Sequence, residues 1–436
     1  MPDDSPEKHS LDPWRGQYAD RAANMIASEV RALFAVASRP EVVSLAGGMP
    51  NVSALPMDTV SSVMTDLIAQ HGPVALQYSS AQGIASLRES ICEVMALEGI
   101  SARPDDVVVT CGSQQALDLV AKVFLNPGDT VVTEAPTYVT AINTFAAYQA
   151  RIVHVEMDEH GVIPDALDAA FTHLRAEGRP VKLFYSVPTF QNPAGVTLTA
   201  GRRQQVLEVC RRARVLLVED NPYGLLRYDG EPVRALRADA PSEHDVIYLG
   251  SFSKTLAPGL RVGWALASPA VRDKLVLAAE SAVLSQSPLT QMVVDRYLRT
   301  QPWTDQLKAF REMYRERRDA MLDALTEHMP PGATWTVPEG GFFVWATLPG
   351  GLDAKAMLPR ATTARVAYVP GSGFFADGQG QGSMRLSFCY PTPERIREGV
   401  QRLSAVINDE IALRTTFGVT HARPAHGPQA PSPELP

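Results

Sequence analysis

The sequence lacks paired cysteines, a histidine cluster, a basic surplus and any long apolar run, and each absence removes a class of function. Its cysteines, Cys92, Cys111, Cys210 and Cys389, lie far apart with no Cys-x-x-Cys spacing and no histidines clustered beside them. That excludes a disulfide framework and a thiolate metal site, and it predicts reduced, mostly buried thiols and no metal. Lys and Arg number 40 against 48 Asp and Glu, a net charge of -8, the reverse of what a nucleic-acid or anionic-membrane partner would select. No apolar run approaches the roughly 18 residues that a membrane span requires. The opening Met1-Pro2-Asp3-Asp4-Ser5-Pro6-Glu7 has neither the basic nor the apolar region of a secretory leader. A soluble, cytoplasmic protein is expected.

What is present points to a large α/β protein. At 436 residues the chain exceeds one ordinary core, so a large domain with a smaller companion is expected. Residues 1–15 and 419–436 are polar and proline-bearing, and they cannot bury enough apolar surface to offset ordering entropy. They are predicted to be a disordered arm and tail. Between them short apolar runs recur: Val107–Thr110, Thr130–Thr133, Val181–Phe184, Val215–Val218 and Val246–Leu249. Each has the composition of a strand covered on both faces. Helical stretches such as Gln114–Leu125 and Thr199–Ala213 alternate with them, which predicts a mostly parallel sheet with helices on both faces.

After a charge-rich helical region of about 270–329, Pro330-Pro331-Gly332 breaks the chain. Thr334–Val337, Phe342–Trp345 and Met384–Phe388, with a last helix from about Pro393, then read as a separate α+β domain. The stretch Asp20–Ala37, with Ile26, Val30, Leu33 and Ala37 on one helical face, is expected to fold beside it. The predicted division is 16–54 packing with the small domain, 55–328 as the large domain and 329–418 as the small one.

The densest chemical signal follows the run Val246–Gly250: Ser251-Phe252-Ser253-Lys254 and then Arg261. Strand ends in open α/β sheets converge on a ligand crevice. Two hydroxyls, an ammonium and a guanidinium there suit a phosphate and leave one amine for covalent work on a carbonyl. Taken alone the segment also reads as a solvated basic loop. Upstream junctions carry complementary groups, however. Gly112-Ser113-Gln114 at a helix start is an anion seat. Tyr138 offers an aromatic face, Asn192 an amide, and Asp220 with Tyr223 a carboxylate and a phenol at another strand end.

This ordered series resembles the fold-type I pyridoxal-phosphate family, the class I/II aminotransferases. The likeness runs from about Ala27 to Ala412 and rests on Ser-x-Ser-Lys-(x)6-Arg, Asp-x-x-Tyr, Asn-Pro-x-Gly and Arg385. It implies pyridoxal 5'-phosphate held on Lys254 as a Schiff base, with Lys254 also the general base of the proton shift. It further implies Asp220 on the pyridine nitrogen, Asn192 and Tyr223 on the phenolic oxygen, and Tyr138 stacked on the ring. Ser113, Gln114, Ser251, Ser253 and Arg261 would hold the phosphate. Tyr78 resembles the tyrosine that reaches the neighbouring subunit's phosphate, implying a homodimer with shared active sites. Arg385 resembles the arginine that forks onto the substrate α-carboxylate, a task suited to its planar bidentate head.

Ser44-Leu45-Ala46-Gly47-Gly48-Met49-Pro50 is similar to the opening signature of the 2-aminoadipate and kynurenine aminotransferase subgroup. By that likeness Gly47 and Gly48 form a wall of the substrate pocket. Ser28 and Arg31, three apart on a helix, match positions that meet a distal carboxylate. Arg31 reads equally as a solvated surface charge. The expected reaction is transfer of an amino group from an L-amino acid (2-aminoadipate, aromatic or otherwise bulky) to a 2-oxo acid such as 2-oxoglutarate. A β-lyase, decarboxylase or cyclase shares the cofactor and stays open, because no motif reports which bond aligns with the ring. A non-enzymatic cofactor-sensing regulator is disfavoured by the acidic chain and by the short stretch before the first core helix.

Overall fold

The computed structural model describes residues 12, 14, 16–25 and 39–417. The predicted arm 1–15 (save Asp12 and Trp14), the tail 419–436, and Ser28 and Arg31 lie outside the described residues.

The chain first forms a two-residue strand β1 (Val43–Ser44), then the eight strands of one sheet. These are β2 (Val107–Thr110), β3 (Thr130–Ala135), β4 (Arg151–Asp158), β5 (Gly161–Val162), β6 (Val181–Ser186), β7 (Leu216–Asp220), β8 (Val246–Ser251) and β9 (Gly263–Leu266). Five short strands follow: β10 (Thr334–Trp335), β11 (Phe343–Thr347), β12 (Val366–Ala367), β13 (Val369–Pro370) and β14 (Ser383–Ser387). The large sheet has the order β2-β9-β8-β7-β6-β3-β4-β5. Strands β4, β3, β6, β7 and β8 run parallel, while β9 lies antiparallel between β2 and β8 and β5 is antiparallel at the far edge.

Side chains alternate across this sheet, as pleated strands require. Val131, Leu183, Tyr185 and Val218 enter one core, and Val132, Phe184 and Leu217 enter the other. Both faces are therefore dry, which is why these strands read as continuous apolar runs. The strands predicted from sequence are all found, most running on by two residues to the polar side chains at their C-terminal ends. The helices expected at Gln114–Leu125 and Thr199–Ala213 occupy Ser113–Phe124 and Ala200–Ala213.

The region 270–329 holds three helices, Pro269–Val283, Pro288–Thr300 and Trp303–His328, because Pro288 opens the second and Pro302 caps the third. Of the stretch Asp20–Ala37, residues 26–37 lie outside the described residues; Asp20–Asn24 forms a single 3-10 turn packed on the helix Val139–Ala147 of the large sheet.

The small sheet has the order β10-β11-β14-β13 and is antiparallel throughout. β1 pairs in parallel with β12 and packs under the final helix Pro393–Thr416, so residues 43–49 are carried to the mouth of the large sheet from this side. Among the described residues no helix is long and apolar enough to cross a membrane.

Candidate active site

Strands β3, β6, β7 and β8 end together, and their loops surround a cavity of about 400 Å³. Its lining gathers Ser113, Gln114, Tyr138, Asn192, Asp220, Tyr223, Ser251, Ser253, Lys254 and Arg261 from the large sheet. Gly48, Phe343 and Arg385 close it from the other side.

Lys254 follows β8, and its Nζ donates to the Gly48 carbonyl at 2.9 Å. Burial of the amine pushes its pKa down to about 8, and the neighbouring Arg385 and Arg261 act in the same direction. Asp220 closes β7. Its Oδ2 accepts the Tyr185 hydroxyl at 2.8 Å, while Oδ1 is buried and has no partner among the described residues. Burial raises this carboxyl to about 6. An unpaired, desolvated carboxylate oxygen is costly unless something cationic completes it.

The anion seat is built by close packing. Gly112 sits at φ +77, and a Cβ there would lie 2.6 Å from Arg261 Nη2. The Arg261 guanidinium folds over this turn and donates to the Cys111 carbonyl at 2.9 Å. Behind it Gly263 packs so tightly that a Cβ would stand 2.5 Å from the Ser113 nitrogen. The free N–H groups of the helix Ser113–Phe124 thus face the same space as Arg261, and as Ser251 and Ser253, whose hydroxyls are 2.9 Å apart.

Arg385 on β14 is buried between the rings of Phe343 and Phe374, with its guanidinium carbon 4.1 Å and 5.1 Å from their centroids. It donates to Asn192 Oδ1 at 2.9 Å and to the Ala46 carbonyl at 2.7 Å, leaving Nε without a partner. Burial lowers its pKa to about 10, so it remains cationic at neutral pH. Tyr223 packs edge-on against Phe342 and Phe343. A Cβ on Gly48 would come within 3.0 Å of the Phe343 ring. The Gly47 carbonyl is turned to the Cys389 thiol at 3.6 Å and does not line the cavity. Tyr78 is 76% exposed and stands outside it.

Sequence reasoning missed the groups that steady these side chains. Tyr185, Phe374 and Cys389 carry no motif. Nor does the buried Glu134, which accepts Ser186 Oγ at 2.6 Å and Gln191 Nε2 at 3.3 Å. Gln191 also donates to the Pro136 carbonyl at 2.6 Å, so the loops bearing Tyr138 and Asn192 are braced on each other. Glu134 and Tyr185 do show one available signal, a polar group inside an otherwise apolar strand.

A phosphate-sized seat, an aromatic flank at Tyr138, an orphaned carboxylate oxygen and an amine of depressed pKa match the four ends of pyridoxal 5'-phosphate. Comparison with known proteins agrees. The profile of the family described as aminotransferase class I and II matches residues 41–403. The chain belongs to that family.

Aromatic-amino-acid aminotransferase 1 of Thermococcus litoralis is 44% identical over 395 residues, covering 90% of this chain and 94% of that protein. The kynurenine aminotransferase of Pyrococcus horikoshii, solved in complex with PMP, superposes with a TM-score of 0.88 at 41% identity over 92% of this chain and 99% of that one. The α-aminoadipate aminotransferase of Thermus thermophilus, complexed with N-(5'-phosphopyridoxyl)-L-leucine, superposes at 0.84 with 37% identity, over 92% and 99%. The protein is thus a fold-type I aminotransferase, a transferase whose cofactor is pyridoxal 5'-phosphate and whose substrates are amino and 2-oxo acids.

Proposed function

We propose that this cavity is the active site and that Lys254 is its catalytic amine, with bulky L-amino acids as donors and a 2-oxo acid such as 2-oxoglutarate as acceptor. The observation that carries the reading is the pairing, in one cavity, of a desolvated Lys254 amine with the unpartnered Asp220 Oδ1. When bound, pyridoxal phosphate supplies a carbonyl that receives the amino group and a ring that withdraws electrons from the substrate Cα.

The chain's own groups divide the rest. Ser113, Gln114, Ser251, Ser253 and Arg261 seat the phosphate beside the helix N-terminus. Asp220 Oδ1 keeps the pyridine nitrogen protonated, and the Tyr185 hydroxyl fixes that carboxylate. Tyr138 flanks the ring, and Asn192 with Tyr223 face its phenolic oxygen. Arg385 holds the substrate α-carboxylate in place of its present bonds to Asn192 and Ala46. Nζ of Lys254 would hold and move the proton at the substrate Cα, as a general base and then acid. Phe343 and Gly48 exclude water on the opposite side.

The donor range follows from the lining. Beyond Arg385, the described residues present Phe343, Met49 and Val139 rather than a second free cation, which favours aromatic and other bulky side chains. A distal carboxylate, as in 2-aminoadipate, would be met by Ser28 and Arg31. Val74 in the last turn of the helix Met57–Ala75 and Leu76 and Tyr78 just after it are exposed at 64%, 72% and 76%, and they support a homodimer in which Tyr78 completes the partner's phosphate seat. The two sheets support the division into 55–328 and 329–418; of the segment 16–54, β1 pairs with β12 of the latter while Asp20–Asn24 packs on the former.

A donor screen with 2-oxoglutarate, read as glutamate formed, tests the reaction. Aromatic amino acids or 2-aminoadipate are expected to yield glutamate, and Lys254→Ala to abolish it while leaving the circular-dichroism spectrum and melting cooperativity intact. Ammonia or carbon dioxide released without glutamate would overturn the reading, as would normal turnover in Lys254→Ala.

A further inference from the structure

His154 lies on β4, outside the cavity, yet it bonds to both sides of the molecule. Its Nε2 accepts the Ala376 backbone N–H at 2.8 Å. Its Nδ1 lies 3.1 Å from the Glu134 carbonyl and 3.0 Å from Thr133 Oγ1, both on β3. A backbone N–H can only donate, so Nε2 must be unprotonated and the ring proton must sit on Nδ1. The Phe375 ring packs edge-on against the imidazole at 5.7 Å.

Ala376 lies two residues beyond the 3-10 turn Gly371–Phe374, and Phe374 is the ring 5.1 Å beneath the Arg385 guanidinium. The same turn is held once more from the large sheet, where the Thr137 N–H donates to the Phe374 carbonyl at 3.0 Å. A short path therefore runs from the His154 imidazole through Ala376 and Phe374 to Arg385.

We propose that His154 is a proton-sensitive positioning residue, whose neutral ring ties the cofactor-binding sheet to the turn supporting Arg385, so that protonation weakens capture of the amino-acid substrate. The substrate part rests on the reading of Arg385 as the α-carboxylate anchor. Protonated, Nε2 would present N–H to N–H and the tie would be lost. Burial holds the His154 pKa below its ordinary value of 6.5, opposed by the bond to the Glu134 carbonyl and by Asp377, the charged group facing it from the Ala376 segment. Glu134 turns its carboxylate away, to Ser186 and Gln191, and Glu156 lies two residues along the same strand. A depressed histidine pKa makes the tie present above the unfolded value and lost as pH falls through the folded one. The window is thus below pH 6.5.

Two variants separate the tie from bulk packing. His154→Gln keeps an acceptor that does not titrate, and His154→Leu removes it. In the holoenzyme, hydrogen exchange at the Ala376 amide, corrected for intrinsic rate, should accelerate about fivefold between pH 7.5 and 5.5 in the wild type. It should stay flat in His154→Gln and be fast at both values in His154→Leu. KM for the amino donor should rise over the same interval in the wild type and not in His154→Gln, with kcat and the bound-cofactor absorbance little changed. Identical pH dependence of exchange in wild type and His154→Gln, or wild-type protection in His154→Leu, would overturn the tie. Arg385→Lys, assayed alongside, keeps the two readings apart: an unchanged KM there would sink the carboxylate anchor, while the exchange result, which needs no substrate, still decides His154.

Discussion

Burial shifts both Lys254 and Asp220 toward their neutral forms, the amine down to about 8 and the carboxyl up to about 6, so near neutral pH Asp220 stays mostly a carboxylate while a share of Lys254 becomes neutral. The amine at about 8 is a nucleophile near neutral pH, whereas an exposed lysine at 10.5 would be almost wholly protonated. Only the neutral amine attacks a carbonyl. The rate at which the cofactor-free chain captures added pyridoxal phosphate should therefore climb about tenfold between pH 7 and pH 9 and then level off. Stopped-flow absorbance would follow it, and a rate still rising steeply above pH 10 would show the amine to be unperturbed. Asp220→Asn should keep the fold and bind cofactor while losing roughly 100-fold or more in turnover, since an amide cannot hold the ring nitrogen protonated. A near-normal rate in that variant would remove Asp220 from the mechanism.

At the scale of the elements, the apolar strands and the polar residues at their ends were legible because both faces of the sheet are dry and period and composition coincide. The antiparallel β9 was not, since Gly263–Leu266 is short and sits inside a stretch read for its chemistry. β4 was hidden too: exposed Arg151 and Glu156 and the half-buried His154 give it no apolar run, because it lies next to the sheet edge. Among the functional groups, those on loops announced themselves by type and order. Those acting through contacts across the chain, such as Tyr185 on Asp220 or Phe374 on Arg385, did not. Gly263 shows how much one such contact matters. A Cβ there meets backbone, not a yielding side chain, at 2.5 Å from Ser113 N. Gly263→Ala should cost about 1–3 kcal/mol of stability and displace the helix start that seats the phosphate. Its signature is a lower melting temperature with a disproportionate loss of cofactor affinity by equilibrium titration; an equal loss in both would make it a packing defect only.

For the whole molecule, the proposed sharing of the site between two copies turns on Tyr78. Arg261, Ser113 and the serines surround the phosphate seat from one chain, yet Tyr78 stands clear of it with three-quarters of its surface exposed, beside Val74 and Leu76. Apolar side chains gathered at that level of exposure are what an obligate interface covers. If a second copy covers them, light scattering should give twice the 47.3 kDa of one chain. Replacing both Val74 and Leu76 by Asp touches no buried contact and should cost the isolated fold little, within about 0.5 kcal/mol. The charges would nevertheless be intolerable in a dry interface, so the double variant should fall to the mass of one chain. It should also release cofactor more readily, because each seat loses the partner's tyrosine. Tyr78→Phe distinguishes the two effects. It removes the hydroxyl and leaves the apolar contact, so the mass should stay doubled while cofactor affinity drops. A wild-type chain that runs as a monomer with full cofactor would exclude sharing of the site altogether.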